Sequence, residues 1–244
     1  MANPIMKIEE HNAEQERVLN AEDIMTVNGT IQITAFLGLL MVFAASFVWA
    51  KFSVGYTDFA SMLTTGGAIV GFIMAMIIIF TRITYLIPIY AICEGLFIGG
   101  ISAIFEKSFP GIVIQATAGT LAALFSMLVL YRAGIIKCTD KFRSVIFIST
   151  ASIAVIYIVN FIGSFFGYSV PIINSSSNAG IIVSLIVVAI ASLNLIIDFD
   201  FVEKGAERMY PKKYEWYGAF GLLVTLVWLY IEILKLLSKF NSRD

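Results

Sequence analysis

Histidine and charge are what this sequence has least of. Its one histidine, His11, lies in a polar N-terminal stretch. An intramembrane Ser–His hydrolase therefore has no base within reach. The two cysteines, Cys93 and Cys138, have neither metal-ligand spacing nor the even framework of a disulfide scaffold. The Gly-x-Gly-Asp turn of intramembrane aspartyl proteases is missing, as is any phosphate-binding loop. The last apolar stretch carries Lys235 too near its end to hold a retinal-type chromophore. These absences lead to the expectation of a protein that is not an enzyme and carries no cofactor and no metal. Charged residues make up 14% of the chain, against about 25% in soluble domains. A net charge of −1 gives no reason to expect nucleic acid as a partner. From Ser144 to Ile197, 54 residues pass without one Asp, Glu, Lys or Arg.

Hydrophobic residues fill that space, at 59% of the chain against about 45–50% in soluble domains. Seven runs are each long enough to cross a bilayer, which takes about 20 apolar residues: roughly 30–50, 60–81, 84–105, 110–131, 144–166, 179–200 and 216–238. Each must be helical, because a backbone in lipid has to satisfy its own hydrogen bonds. The alternating ten-residue segments of a β-barrel are not visible. The fold class is an all-α polytopic membrane protein with seven transmembrane helices. Residues 1–25 form a polar N-terminal arm, partly helical from Ala13 to Met25, with no apolar core of a cleavable signal. Residues 26–244 form the transmembrane domain.

The breaks between runs carry turn chemistry. Lys51 to Asp58 contains Gly55, Arg82 stands alone in a tight hairpin, and Glu106 to Gly111 contains Pro110. Gly167 to Asn178 is an uncharged polar loop whose Asn174-Ser-Ser triplet is read as an incidental glycosylation sequon. With the N-terminus in the cytosol, eleven Lys and Arg lie inside and five outside. The positive-inside rule then predicts a cytosolic N-terminus and an outer C-terminus, in a bacterial inner membrane. Trp49, Tyr131, Trp216 and Tyr217 are read as interfacial anchors. Gly67/Gly71, Gly95/Gly99 and Gly163/Gly167 have the small-xxx-small spacing that lets helices approach closely within the bundle.

Acids inside such runs are expensive and are functional candidates by default. Glu94 lies about ten residues into its run, roughly 15 Å deep. It serves either as a hydrogen-bonded structural group or in proton or cation passage, with Arg82 as the candidate counter-charge. Asp198 and Asp200 close the sixth run. About 200° apart around a helix, they cannot share one pocket. One is expected to face the bundle and the other water or a basic loop residue. Glu232 and Lys235 fall on neighbouring positions of one helical face and are expected to pair, with Lys235 snorkelling.

Taken together, several segments resemble the Bax inhibitor-1 superfamily, and its bacterial Bax inhibitor-1/YccA branch most closely. They are Thr26-Val-Asn-Gly-Thr-Ile-Gln32, Cys93-Glu94-Gly95-Leu96, Leu195-Ile-Ile-Asp198-Phe-Asp200-Phe201, Glu215-Trp216-Tyr217 and Leu229-Tyr-Ile-Glu232-Ile-Leu-Lys235. The resemblance covers nearly the whole chain. It implies two three-helix layers around a central C-terminal helix. It also implies a pH-sensitive Ca²⁺ leak closed by two facing aspartates, one ending span six and one in span seven. The span-six acid of that pattern follows an aromatic, which matches Phe199-Asp200. For the span-seven position, Glu232 matches the local sequence, whereas a register taken from Lys235 points to Thr225, which is no acid. The functional expectation is a cation leak for Ca²⁺ or protons, with Asp198, Asp200 and Glu94 as gate and proton-sensing groups. The alternative is a non-conducting membrane factor that binds a partner such as a quality-control protease through the loop 203–215. The bilayer itself is the remaining partner.

Overall fold

The computed structural model describes residues 24–167 and 175–242. Most of the N-terminal arm, with His11, Lys7 and Arg17, lies outside the described residues, as do Pro171, Asn174 and Arg243. Among the described residues there are seven long helices and no strands: α1 (Val27–Ser53), α2 (Thr57–Thr81), α3 (Ile87–Ser108), α4 (Ile112–Arg132), α5 (Asp140–Phe165), α6 (Asn178–Glu207) and α7 (Lys213–Asn241). All seven are long and apolar enough to span a membrane. Large apolar side chains stand exposed around α1, α2, α4 and α5, as a lipid-facing surface requires.

The helix ends follow capping chemistry. Thr26, Thr139 and Ser177 each accept a backbone N–H from the first turn of α1, α5 and α6. Pro88 sits in the first turn of α3, where its missing N–H costs nothing. Glu106 is more than a turn residue: its carboxylate accepts the N–H groups of Gly111 and Val113 at 2.7 and 3.1 Å and so caps α4. Helices α5 and α6 extend past the apolar runs to include Asp140–Arg143 and Phe201–Glu207. Met25, expected in a helix, lies outside one. Its N–H donates to Tyr210 O at 2.7 Å, and Ile24 forms an antiparallel bridge with Pro211.

Helices α1, α2 and α3 pack as one layer, and α6 holds α4 and α5 in a second. Helix α7 touches α1, α3, α4 and α6 and is the central helix. Its Tyr214, Tyr217, Phe220, Leu223, Leu229 and Leu234 are buried to within 1%. Tyr217 is thus a core residue, stacked near Tyr214 with ring centroids 5.7 Å apart, and not an interfacial anchor. The first layer closes on glycine. A Cβ on Gly95 would lie 2.3 Å from Met41 O, one on Gly99 2.4 Å from Ala45 O, and one on Gly67 2.6 Å from Cys93 O. Glycine at these points brings backbones into direct contact. Arg82, Arg132, Arg143 and Lys204 lie at one end of the bundle, its basic end.

The glycine contacts make a direct prediction. Gly95→Leu must push α1 away from α3 and should cost about 1–3 kcal/mol or more, read as a lower thermal midpoint in detergent. Gly38→Leu, where nothing lies within 4 Å, should leave the midpoint near that of the parent protein.

Candidate functional site

Asp198 and Asp200 lie on α6 near the basic end, and both are buried, at 1% and 5% exposure. Neither faces water. Helical phase sends them to opposite sides. Asp198 looks onto the central helix, where Thr225 lies beside its carboxylate. Its Oδ2 has no hydrogen-bond partner among the described residues. Asp200 points the other way, to Arg143 of α5 and to Lys204 one turn along α6 at 2.9 Å. Although the resemblance matched Phe199-Asp200 to the gate position, the acid set against α7 is Asp198. An aromatic neighbour is a sequence feature, whereas the direction of the side chain follows the phase of the helix on its partner.

Around Asp200 the charges form a cluster. Arg143 Nε donates to Cys138 Sγ at 3.3 Å. The Tyr131 hydroxyl donates to Glu203 and lies 3.5 Å from Asp200 Oδ1. One network thereby ties α4, α5 and α6 together at the basic end. Helix α5 makes its main helix contact with α6 alone, and polar pins hold it at several depths. Besides Arg143–Asp200, Asn194 Nδ2 donates to Thr150 Oγ1 at 2.9 Å, and Tyr157 donates to Glu232 at 2.8 Å.

Glu94 and Glu232 occupy separate places. Glu94, about 10 Å along α3 from its first residue, lies beside Tyr90 one turn back and leaves Oε2 buried without a partner among the described residues. It borders a cavity of about 370 Å³ between α2, α3 and α7. Helix α7 presents Phe220 and Val224 to that cavity and Thr225 to Asp198. Arg82 ends α2 at the basic end with a left-handed backbone, φ 58°. Glu232, 1% exposed, accepts from Tyr157 and from Lys235 at 3.1 Å. It lies about 10 Å further along α7 than Thr225, which sets it apart from Asp198.

Sequence reasoning missed a further buried acid. Glu215, 4% exposed, accepts both the backbone N–H and the hydroxyl of Thr26, at 2.9 and 2.8 Å. A Cβ on Gly29 would fall 2.2 Å from its carboxylate. The acid rests on the N-terminus of α1, where the helix dipole favours a negative charge. This latch joins the first and last helices through two of the segments that carry the family resemblance. It also narrows what the segment 203–215 can offer a partner. Residues through Glu207 are helical, and Tyr210, Pro211, Tyr214 and Glu215 are buried, so exposure is confined to Glu207, Met209, Lys212 and Lys213. Arg143 was legible only as one positive charge among eleven. Its place immediately before the uncharged run that opens at Ser144, one turn into α5, was the signal for the pair.

Comparison with known families matches residues 3–242 to the family described as Bax inhibitor 1 like. No match was found among curated proteins or among solved structures.

Two outcomes test the cluster. Removing one member of a buried ion pair costs about 3–5 kcal/mol. Arg143→Met should therefore lower the thermal midpoint in detergent more than Lys204→Met, since the Lys204 side chain is 35% exposed and that of Arg143 17%. Burial pushes the Cys138 thiol up to about 11, against a partly offsetting hydrogen bond from Arg143. In a Cys93→Ala background, maleimide labelling of Cys138 should be slow at neutral pH. It should climb about tenfold per pH unit until the thiolate dominates near pH 11. Fast labelling at pH 7 would contradict that burial.

Proposed function

Since the chain belongs to the Bax inhibitor 1 like family, we propose that it is a pH-sensitive cation leak, passing Ca²⁺ or protons, whose gate is the contact between Asp198 and Thr225. The observation that carries this reading is Asp198 itself: a buried carboxylate against the central helix, with one oxygen that no side chain satisfies. A buried polar atom without a partner calls for an explanation. A proton on that oxygen or a cation against it would each supply one, so the two compete for the same atom. Calcium takes six to eight oxygen ligands. One carboxylate and one hydroxyl are a poor resting place for it, which suits passage better than storage.

In this reading Thr225 stands where the resemblance sets the second aspartate. The gate then titrates as one carboxyl and not as a coupled pair with two macroscopic steps. Asp200 holds α5 against α6 through Arg143 and is a positioning residue. The excess of Lys and Arg at the basic end supports a cytosolic position for that end and for the N-terminus, with the chain in a bacterial inner membrane. No catalytic step is assigned to the chain.

The test is Ca²⁺ flux into proteoliposomes across pH 6–8. The parent protein should show a flux that follows a single-proton transition. Asp198→Asn should make flux independent of pH, and Thr225→Asp should split the transition into two steps. Asp200→Asn should alter stability more than the shape of the pH profile. Equal profiles for the parent protein and Asp198→Asn, or silence in both, would sink the reading. Silent liposomes together with a stoichiometric cross-linked protein would favour the partner-binding alternative, with Met209, Lys212 and Lys213 as the exposed contact points.

A further inference from the structure

The cavity beside Glu94 has a chemistry of its own. It encloses about 370 Å³ and is walled by Phe72, Tyr90, Phe97 and Phe220, with Glu94 as its one ionisable carboxylate. Pockets for small organic ligands run from about 300 to 1,000 Å³. Tyr90 and Phe220 meet edge to face with ring centroids 4.9 Å apart, which fixes that wall. Tyr90 and Glu94 line the cavity side by side, and Glu94 Oε2 has no partner among the described residues. Phe72 is 67% exposed on the lipid-facing side of α2, so the cavity borders the bilayer rather than an aqueous mouth.

These features narrow the occupant. A buried water needs two to four polar partners, and here one carboxylate oxygen is open. A divalent cation needs six or more oxygens, and the aromatic walls supply none. A protonated amine on an apolar body meets both halves of the site. Its ammonium donates to Glu94 Oε2 and lies against aromatic faces, which attract cations within about 6 Å. Its body replaces hydrocarbon among the rings.

We propose that this cavity is a binding site for a lipophilic amine that enters from the bilayer. If the amine arrives neutral on a protonated Glu94, the carboxyl proton moves to nitrogen. The pair becomes ammonium and carboxylate with no change in net charge. The site faces Phe220 and Val224 of α7, a different strip from Thr225, so it stands or falls separately from the leak.

The experiment uses the full chain in lipid nanodiscs, with radiolabelled 4-phenylbutylamine as probe and 4-phenylbutan-1-ol as its uncharged counterpart. Equilibrium dialysis is read against empty nanodiscs. The expected result is saturable one-to-one binding of the amine above lipid partition, and no saturable binding of the alcohol. Glu94→Gln should weaken the amine by about tenfold or more, equivalent to about 1.4 kcal/mol. Ala68→Leu, which fills the cavity from α2 and leaves the carboxylate in place, should also abolish saturation. It serves as the second variant if Glu94→Gln does not fold. Equal binding of amine and alcohol, full binding by a folded Glu94→Gln or Ala68→Leu protein, or uptake no greater than that of empty nanodiscs would overturn the proposal.

Discussion

Hydrocarbon offers no hydrogen bonds, so every carboxylate inside this bundle depends on what the protein itself can bring to it. Five acids meet that constraint in five ways. Asp200 takes a guanidinium and an ammonium, Glu232 an ammonium and a phenol, and Glu215 the N-terminus of a helix with a threonine. Glu94 has Tyr90 beside it and Asp198 has Thr225, and each of these two acids keeps one buried oxygen without a partner among the described residues. The first three are compensated by a cation or by backbone N–H groups, and they hold helices together. The two left half-satisfied are where a proton, a metal cation or an ammonium has something to gain by binding.

Helix α7 makes this division possible. It is covered on all sides by α1, α3, α4 and α6, so each of its strips serves a different neighbour. One strip carries Glu215 to the start of α1, the next carries Phe220 and Val224 to the Glu94 cavity, and Thr225 meets Asp198. The close approach of α1, α2 and α3 on Gly67, Gly95 and Gly99 completes one wall of that arrangement. Helix α5 is the outlier. It leans on α6 and is fastened by polar contacts at Arg143, Thr150 and Tyr157.

Much of this was readable before any coordinates. A run without charge can only be a span in a chain this apolar, so seven helices followed from composition. Scarcity also marked Glu94, Asp198, Asp200 and Glu232, because an acid in an apolar run is conspicuous. Counting back from Lys235 reached Thr225. Direction was harder to read. Tyr217 looks like an interfacial anchor by position and is a core side chain, because α7 is buried against its neighbours at that level. The segment 203–215 looks like a charged loop, yet its tyrosines and Glu215 fold inward to meet Ile24, Met25 and Thr26.

The sequence by itself determined that the chain spans a membrane seven times, roughly where each apolar run lies, and which few acids must be dealt with inside. Those outcomes depend on transfer free energy and on local capping, both of which are sums over neighbouring residues. Only the tertiary structure decided which acid faces which helix. The pairings Asp198 with Thr225, Asp200 with Arg143 and Glu215 with Thr26 join residues 27, 57 and 189 positions apart. Whether such a pair meets depends on the rotation of each helix about its own axis, and packing against several neighbours sets that rotation.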